Sequence, residues 1–70
     1  MKINNSSDFG EKLRERRKKL GYTQRQLSEH TGLSISFLSD LERGKMTAEL
    51  GNAIYAANIL GLDIMMTDRG

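Results

Sequence analysis

The sequence predicts one all-α domain of four main helices followed by a short C-terminal strand. Three observations predict it. Capping residues and glycines alone cut the chain, whose 70 residues include seven glycines and no proline. Between the cuts, apolar residues return at spacings of three and four, as on one face of a helix. After Gly61 the spacing changes to alternation, the period of a strand with one buried face. The cuts divide the chain into a flexible N-terminal arm over residues 1–7, a helical unit over 8–61 and a strand with its tail over 62–70. A chain this short buries only about 60% of the surface its unfolded form exposes, so a staple or a partner subunit is expected. Cysteine is absent and His30 is the single histidine, which excludes disulfides, a zinc set of four nitrogen and sulfur ligands, and Cys/His nucleophilic chemistry. No metal and no cofactor is expected, and oligomerisation remains as the source of added stability.

Asp8 with Glu11 three residues on reads as a capping box, and Phe9, Leu13, Arg17 and Leu20 then keep helical spacing up to Gly21. This predicts a first helix over residues 8–20 with a basic exposed face. Thr23 and Gln26 form a second capping box, opening a helix from Gln24 to Thr31 that Gly32 ends, with Leu27 turned inward. Ser34 caps a third helix carrying Phe37, Leu38 and Leu41, which stops at Gly44. Thr47 is read as the cap of a fourth, where Leu50, Ala53, Ile54, Ala57 and Leu60 repeat until Gly61. Gly51 in its first turn weakens it by up to about 1 kcal/mol relative to alanine. Leu62, Ile64 and Met66 then alternate with Asp63, Met65 and Thr67. A lone strand has no hydrogen-bonding mate, and a second copy of the chain is the economical one, with a frayed tail as the alternative. Met46, Met65, Met66, Ile54 and Ile59 are read as packing residues rather than a cofactor box.

The net charge of +2 says little, but residues 1–25 hold eight basic and three acidic side chains, so the remainder is mildly acidic. That asymmetry fits a surface facing a polyanion on one side and a different partner on the other, or simply a solvated helix face. The polar start MKINNSSD and the short apolar runs fit neither a signal peptide nor a membrane span, so a cytoplasmic protein with no membrane partner is expected. The Asn5-Ser6-Ser7 sequon accordingly lacks a secretory context.

The segment QRQLSEHTGLSISFLSDLER, from Gln24 to Arg43, spaces like a helix-turn-helix. Such a unit needs a small residue where its helices cross, here Ser28, and a glycine in the turn, here Gly32. It also needs apolar residues that lock the pair, here Leu27, Leu33, Leu38 and Leu41. An ordinary helical hairpin shares much of this pattern. Adding LRERRKKLGYTQRQLSEHTGLS and LSDLERGK, the chain resembles the Cro/cI-type, or XRE, helix-turn-helix family over residues 9–61. Ser28 stands where alanine is more usual, and Met46 where many relatives have proline. The ending ANILGLDIMM extends the resemblance to short antitoxins of the HipB kind. The resemblance implies a four- to five-helix, lambda-repressor-like domain whose C-terminal strand pairs in a dimer.

Chemistry and resemblance together give each candidate residue a role. Gln24, beside Thr23 at the start of the second helix, carries an amide that can donate to a phosphate while accepting from a neighbour, and its position in the family clamps the DNA backbone. On the third helix Ser34, Ile35, Ser36, Phe37, Ser39 and Asp40 are candidates to face the groove or its walls. Ile35, against a thymine methyl, and Ser36 are the choices for base edges, because recognition helices read with their first turn. Phe37 suits sugar or methyl contact as well as core or dimer packing. Asp40 suits a cytosine amino group, though an acid near phosphates is also repelled. Arg43 and Lys45 suit phosphates. Arg17 resembles the family's buried partner for the acid of ERGK, Glu42, and the two are read as a structural ion pair. Leu62, Ile64 and Met66 are assigned to the dimer.

These readings imply a sequence-specific transcriptional repressor that binds palindromic operator DNA as a homodimer. The resemblance, not the composition, adds an autoregulating antitoxin of a type II toxin-antitoxin operon whose cognate toxin is a HipA-like kinase. A phage repressor, a restriction-modification controller and a module that only sequesters a protein partner are the alternatives. An enzyme is not expected: the nearest pair of carboxylates, Asp40 and Glu42, lie two apart on a helix and do not face one another.

Overall fold

A computed structural model describes the whole chain, Met1–Gly70. It has four helices, α1 (Ser6–Lys19), α2 (Gln24–Thr31), α3 (Ile35–Glu42) and α4 (Leu50–Ile59). The boundaries of α2 and the start of α3 are those the capping residues predict, while α3 ends at Glu42 with Arg43 as its C-cap, short of Gly44. Thr23 Oγ1 accepts from Gln26 N at 3.0 Å while Gln26 Oε1 accepts from Thr23 N at 2.9 Å, completing the capping box. Ser34 Oγ accepts from Phe37 N at 3.0 Å. Between the two helices Gly32 takes φ +77°, a left-handed conformation that favours glycine.

The starts of α1 and α4 differ from expectation. Helix α1 begins at Ser6, because Asn5 rather than Asp8 is the cap: Asn5 Oδ1 accepts from Asp8 N at 2.7 Å. The Asp8 carboxylate instead reaches back to Asn4 N at 3.1 Å, so Asp8 sits within the first turn of the helix. Helix α4 begins at Leu50 after Glu49, which makes no side-chain cap, and Thr47 lies in the preceding turn.

Leu13, Leu27, Leu38, Leu41, Ala53, Ala56, Ala57 and Leu60 form the buried core, one or more from each helix or its end. Phe9, Tyr22, Leu33, Phe37, Ala48 and Leu62 pack against it from its margin. Three alanines let α4 lie close to its neighbours. Gly10 does the same for α1 on α3, since a Cβ there would stand 2.7 Å from Glu42 O and 2.9 Å from Glu42 C. The start of α1 also docks on the turn after α3, where Ser6 Oγ donates to Gly44 O at 2.8 Å. At its other end Arg16 Nε donates to Leu60 O at 2.9 Å, satisfying a carbonyl that the end of α4 leaves free.

Several apolar residues expected inside lie outside. Leu20 and Leu50 are exposed at helix ends, and Met46, Met65 and Met66 are 89%, 83% and 98% exposed, so the methionines do not pack the core of one chain. The C-terminal strand is not formed. Leu62 N donates to Ala57 O at 3.0 Å, closing α4, and the backbone beyond it makes no further hydrogen bond to backbone. Leu62 is half-buried, whereas Ile64 and Met66 are exposed. The alternating pattern is real, but the chain has no other strand and so offers it no edge to pair with. An open groove of about 880 Å³ runs between the N-terminal arm, Phe9 and this tail. No helix is long and apolar enough to cross a membrane.

Candidate nucleic-acid interface

Helices α2 and α3 pack on each other through Leu27, Leu38 and Leu41, and the turn between them is closed by hydroxyls. Ser28 Oγ donates to Leu33 O at 2.6 Å, and Thr31 Oγ1 donates to Leu27 O at 2.8 Å while accepting from Leu33 N at 3.1 Å. The serine in place of alanine is therefore a turn fastener: its small side chain permits the crossing and its hydroxyl takes the carbonyl beyond Gly32.

The third side of the unit is held by α1. Arg17 Nε donates to Glu42 Oε2 at 2.7 Å, Arg17 Nη2 donates to Glu42 Oε1 at 2.9 Å, and Arg17 Nη1 donates to Tyr22 O at 2.8 Å. Both residues are buried, so the expected structural pair is present in its two-pronged form. The Glu42 hydrogen bonds hold the guanidinium above its ordinary pKa, against the opposing effect of burial. Gln24 joins this network, with Nε2 donating to Glu42 Oε1 at 3.3 Å. Its amide thus donates to its neighbour where the sequence reading has it accept. The second N–H and the carbonyl oxygen remain for an outside partner.

On α3, Ile35 and Ser36 are exposed and Ser36 makes no side-chain hydrogen bond. Ser34 is also exposed, though its oxygen is engaged as the cap, and Thr23 is likewise exposed and engaged at the start of α2. Ser39 and Asp40 are half-buried on the same helix. Phe37 is half-buried and packs against the core, with part of its ring left at the surface. Asp40 is committed within the chain: Arg43 Nη2 donates to its Oδ1 at 2.6 Å and Lys45 Nζ to its Oδ2 at 3.5 Å. The Arg43 hydrogen bond, ahead of any effect of burial, holds the Asp40 carboxyl below the usual aspartate range, with Lys45 adding to it. The spacing of three between Asp40 and Arg43 on a helix could have revealed this pair; the Gln24–Glu42 bond had no local signal, because it spans two helices.

The structure thus brings Thr23, Gln24, Arg17 and Glu42 together at the start of α2, and Ser34, Ile35 and Ser36 at the exposed start of α3. Arg43, Lys45 and Asp40 form a separate charged group at the other end of α3. Leu62, Ile64 and Met66 lie outside all three. His30 stands edge-on to Tyr22, ring centres 5.3 Å apart.

The chain is similar to known proteins along nearly its whole length. The family model of the helix-turn-helix domain matches residues 10–66. The uncharacterized HTH-type transcriptional regulator y4dL of Sinorhizobium fredii is 36% identical over 59 residues, covering 84% of this chain but only 30% of the relative. The uncharacterized HTH-type transcriptional regulator y4mF of the same organism is 33% identical over 63 residues, covering 90% of this chain and 83% of the relative. Among solved structures, HipB in its O4 20mer complex and in the HipA-HipB-O2-O3 complex each superpose with TM-score 0.89 at 20% identity, covering 100% of this chain and 99% of theirs. The fold is therefore that of HipB. With two capped helices, a glycine turn and the α1 clamp all within the matched residues, the chain belongs to the XRE-type helix-turn-helix family, whose members are regulators rather than enzymes.

Proposed function

We propose that this chain is a sequence-specific, DNA-binding transcriptional repressor that binds a palindromic operator as a homodimer in the cytoplasm. One observation carries the reading: α3 is sealed on its inner side by Leu38, Leu41 and Glu42, while Ile35 and Ser36 stand exposed on its first turn. That is the arrangement by which a helix enters a major groove amino end first. Ile35 offers an apolar surface to a thymine methyl and Ser36 a hydroxyl to either kind of base edge. Gln24, fixed by Glu42, presents its second N–H to a phosphate, with Thr23 and Ser34 flanking and Ser39 on the groove wall. Arg43 and Lys45 supply positive charge to the backbone on the far side.

The finer reading is an autoregulating antitoxin of a type II toxin-antitoxin operon. The full-length likeness to HipB, including HipB in a complex with HipA, supports it, and a HipA-like kinase is the toxin proposed. The homodimer is supported by the tail after α4: Leu62 is anchored at the margin of the core, Ile64 and Met66 stand exposed on backbone that has hydrogen bonds to give, and a second tail is the complementary edge. Two copies would set their α3 helices roughly 34 Å apart, one turn of DNA.

Binding to the chain's native upstream DNA, compared with selection from a random library, tests the reading. Ser36→Ala and Ile35→Ala are expected to change the selected sequence, with about 1–3 kcal/mol of discrimination lost at one position. Gln24→Ala is expected to weaken selected and random DNA alike. An unchanged selected sequence in both α3 variants overturns the assignment, and failure of the intact chain to bind any duplex overturns the reading.

A further inference from the structure

We infer that Asp40 is a positioning residue that restrains Arg43 and Lys45, and thereby limits the chain's affinity for duplex DNA of any sequence. The inference rests on the DNA-binding reading and adds to it a control on sequence-independent binding. One carboxylate serves two cations, Arg43 on Oδ1 and Lys45 on Oδ2. The arrangement does not depend on two long side chains meeting by chance. Lys45 N donates to Asp40 O at 3.0 Å and Gly44 N to Leu41 O at 3.1 Å, so the backbone itself folds the loop back over the last turn of α3. Gly44, at φ +85°, permits that reversal, and the docked start of α1 at Ser7 leaves no room for a side chain there.

Local charge makes the restraint matter. Arg43 and Lys45 are the only arginine and lysine side chains between residues 26 and 68. Glu42 is already neutralised by Arg17, so Asp40 is the one acid that decides how much positive charge this end of α3 presents. A duplex that offers only phosphates must draw both cations off the carboxylate and then tolerate that carboxylate beside its own charge. Sequence-independent binding is almost wholly electrostatic, so it bears the full effect. In a genome where wrong sites vastly outnumber right ones, holding down that background is a gain in selectivity.

The test uses the full chain and a random-sequence duplex of roughly two helical turns, titrated at several salt concentrations. Asp40→Asn and Asp40→Ser remove the charge without touching the core, and circular dichroism checks that each variant keeps its helices. Both are expected to bind the random duplex about three- to tenfold more tightly at moderate salt. The dependence of log K on log salt should steepen by about 1 to 2, since each freed cation that meets a phosphate adds about 0.9. In an Arg43→Ala/Lys45→Ala background the same Asp40 substitutions should leave the slope unchanged, because nothing remains to release. Unchanged slopes in the Asp40 variants overturn the inference, as does equal tightening with and without the two cations, which would be plain repulsion. If the unaltered chain binds no duplex at all, the DNA-binding reading fails and takes this inference with it; binding with unchanged slopes sinks the inference alone.

Discussion

Gly10→Ala tests how closely α1 is held against α3. The added methyl would stand 2.7 Å from Glu42 O, 2.9 Å from Glu42 C and nearer still to Leu41 O, all of them backbone atoms that cannot rotate aside. Ordinary contact starts at 3.4 Å, so the two helices must separate by about an ångström. Overpacking of this kind costs about 1–3 kcal/mol. It also pulls Arg17 from Glu42, whose hydrogen bonds of 2.7 and 2.9 Å cross the same seam. Alanine returns up to about 1 kcal/mol through its better helix propensity. The expected net loss is about 1–2 kcal/mol, or roughly 4–8 °C in Tm for each kcal/mol in a domain of this size. Urea unfolding followed by circular dichroism measures it, with Gly51→Ala as the opposing control. There the new methyl meets only the end of an exposed side chain, Glu49 Oε1 at 3.3 Å, so stability should rise by up to about 1 kcal/mol. If Gly10→Ala is as stable as the parent chain, or gains like Gly51→Ala, the tight crossing is not a feature of the molecule in solution.

Arg17→Ala and Glu42→Ala should each lower stability by about 3–5 kcal/mol, because either leaves a buried charge unpaired. The double variant should recover part of that loss in a urea-melt cycle, and strict additivity would contradict the pair. Asp40 has its pKa lowered in the folded chain, chiefly by Arg43, so its pairing stabilises at pH values above the unfolded aspartate pKa and is lost as the pH falls through the folded one. Urea midpoints should therefore drop on acidification below the usual aspartate range, less so in Asp40→Asn; identical acid profiles would contradict the pairing. Ile64→Asp should leave the helices of one chain intact, since Ile64 is 47% exposed, yet weaken self-association in sedimentation equilibrium and with it operator binding. A variant that still dimerises at the parent strength would remove the tail from the interface.

How much of this was legible depended on whether the controlling partner was near in sequence. The starts of α2 and α3 and the end of α2 could be read from sequence because Thr23 with Gln26, Ser34 and Gly32 act within three or four positions of themselves. The start of α1 was misplaced because Asp8 with Glu11 matches a capping box, and only the geometry shows that Asn5 takes the Asp8 backbone N–H. Thr47 was a plausible cap in front of α4, but the turn after Gly44 keeps it out of the helix. The alternation after Gly61 signals an edge, and a single chain cannot supply the other edge. At the candidate interface, the Arg17–Glu42 pair was readable only through family resemblance. The role of Gln24 as a donor to Glu42, and of Gly10 at the crossing, belonged to distances between helices that no local pattern encodes.

The longest hydrogen-bonded reaches all begin on α1: Arg17 to Glu42 across 25 residues, Ser6 to Gly44 across 38 and Arg16 to Leu60 across 44. Helix α1 leaves the ribosome before the residues it binds and so must wait for its partners. Until Leu60 has left the exit tunnel, α1 has no acceptor for Arg16, and until Glu42 has left it, Arg17 is a charge without a counterion. Helices α2 and α3, whose contacts are local, can form during synthesis, but the domain closes only when nearly all of its residues are available. A chain interrupted before residue 60 is therefore expected to expose its leucine core to proteases, so that truncated products are cleared instead of competing with the finished protein for its partners.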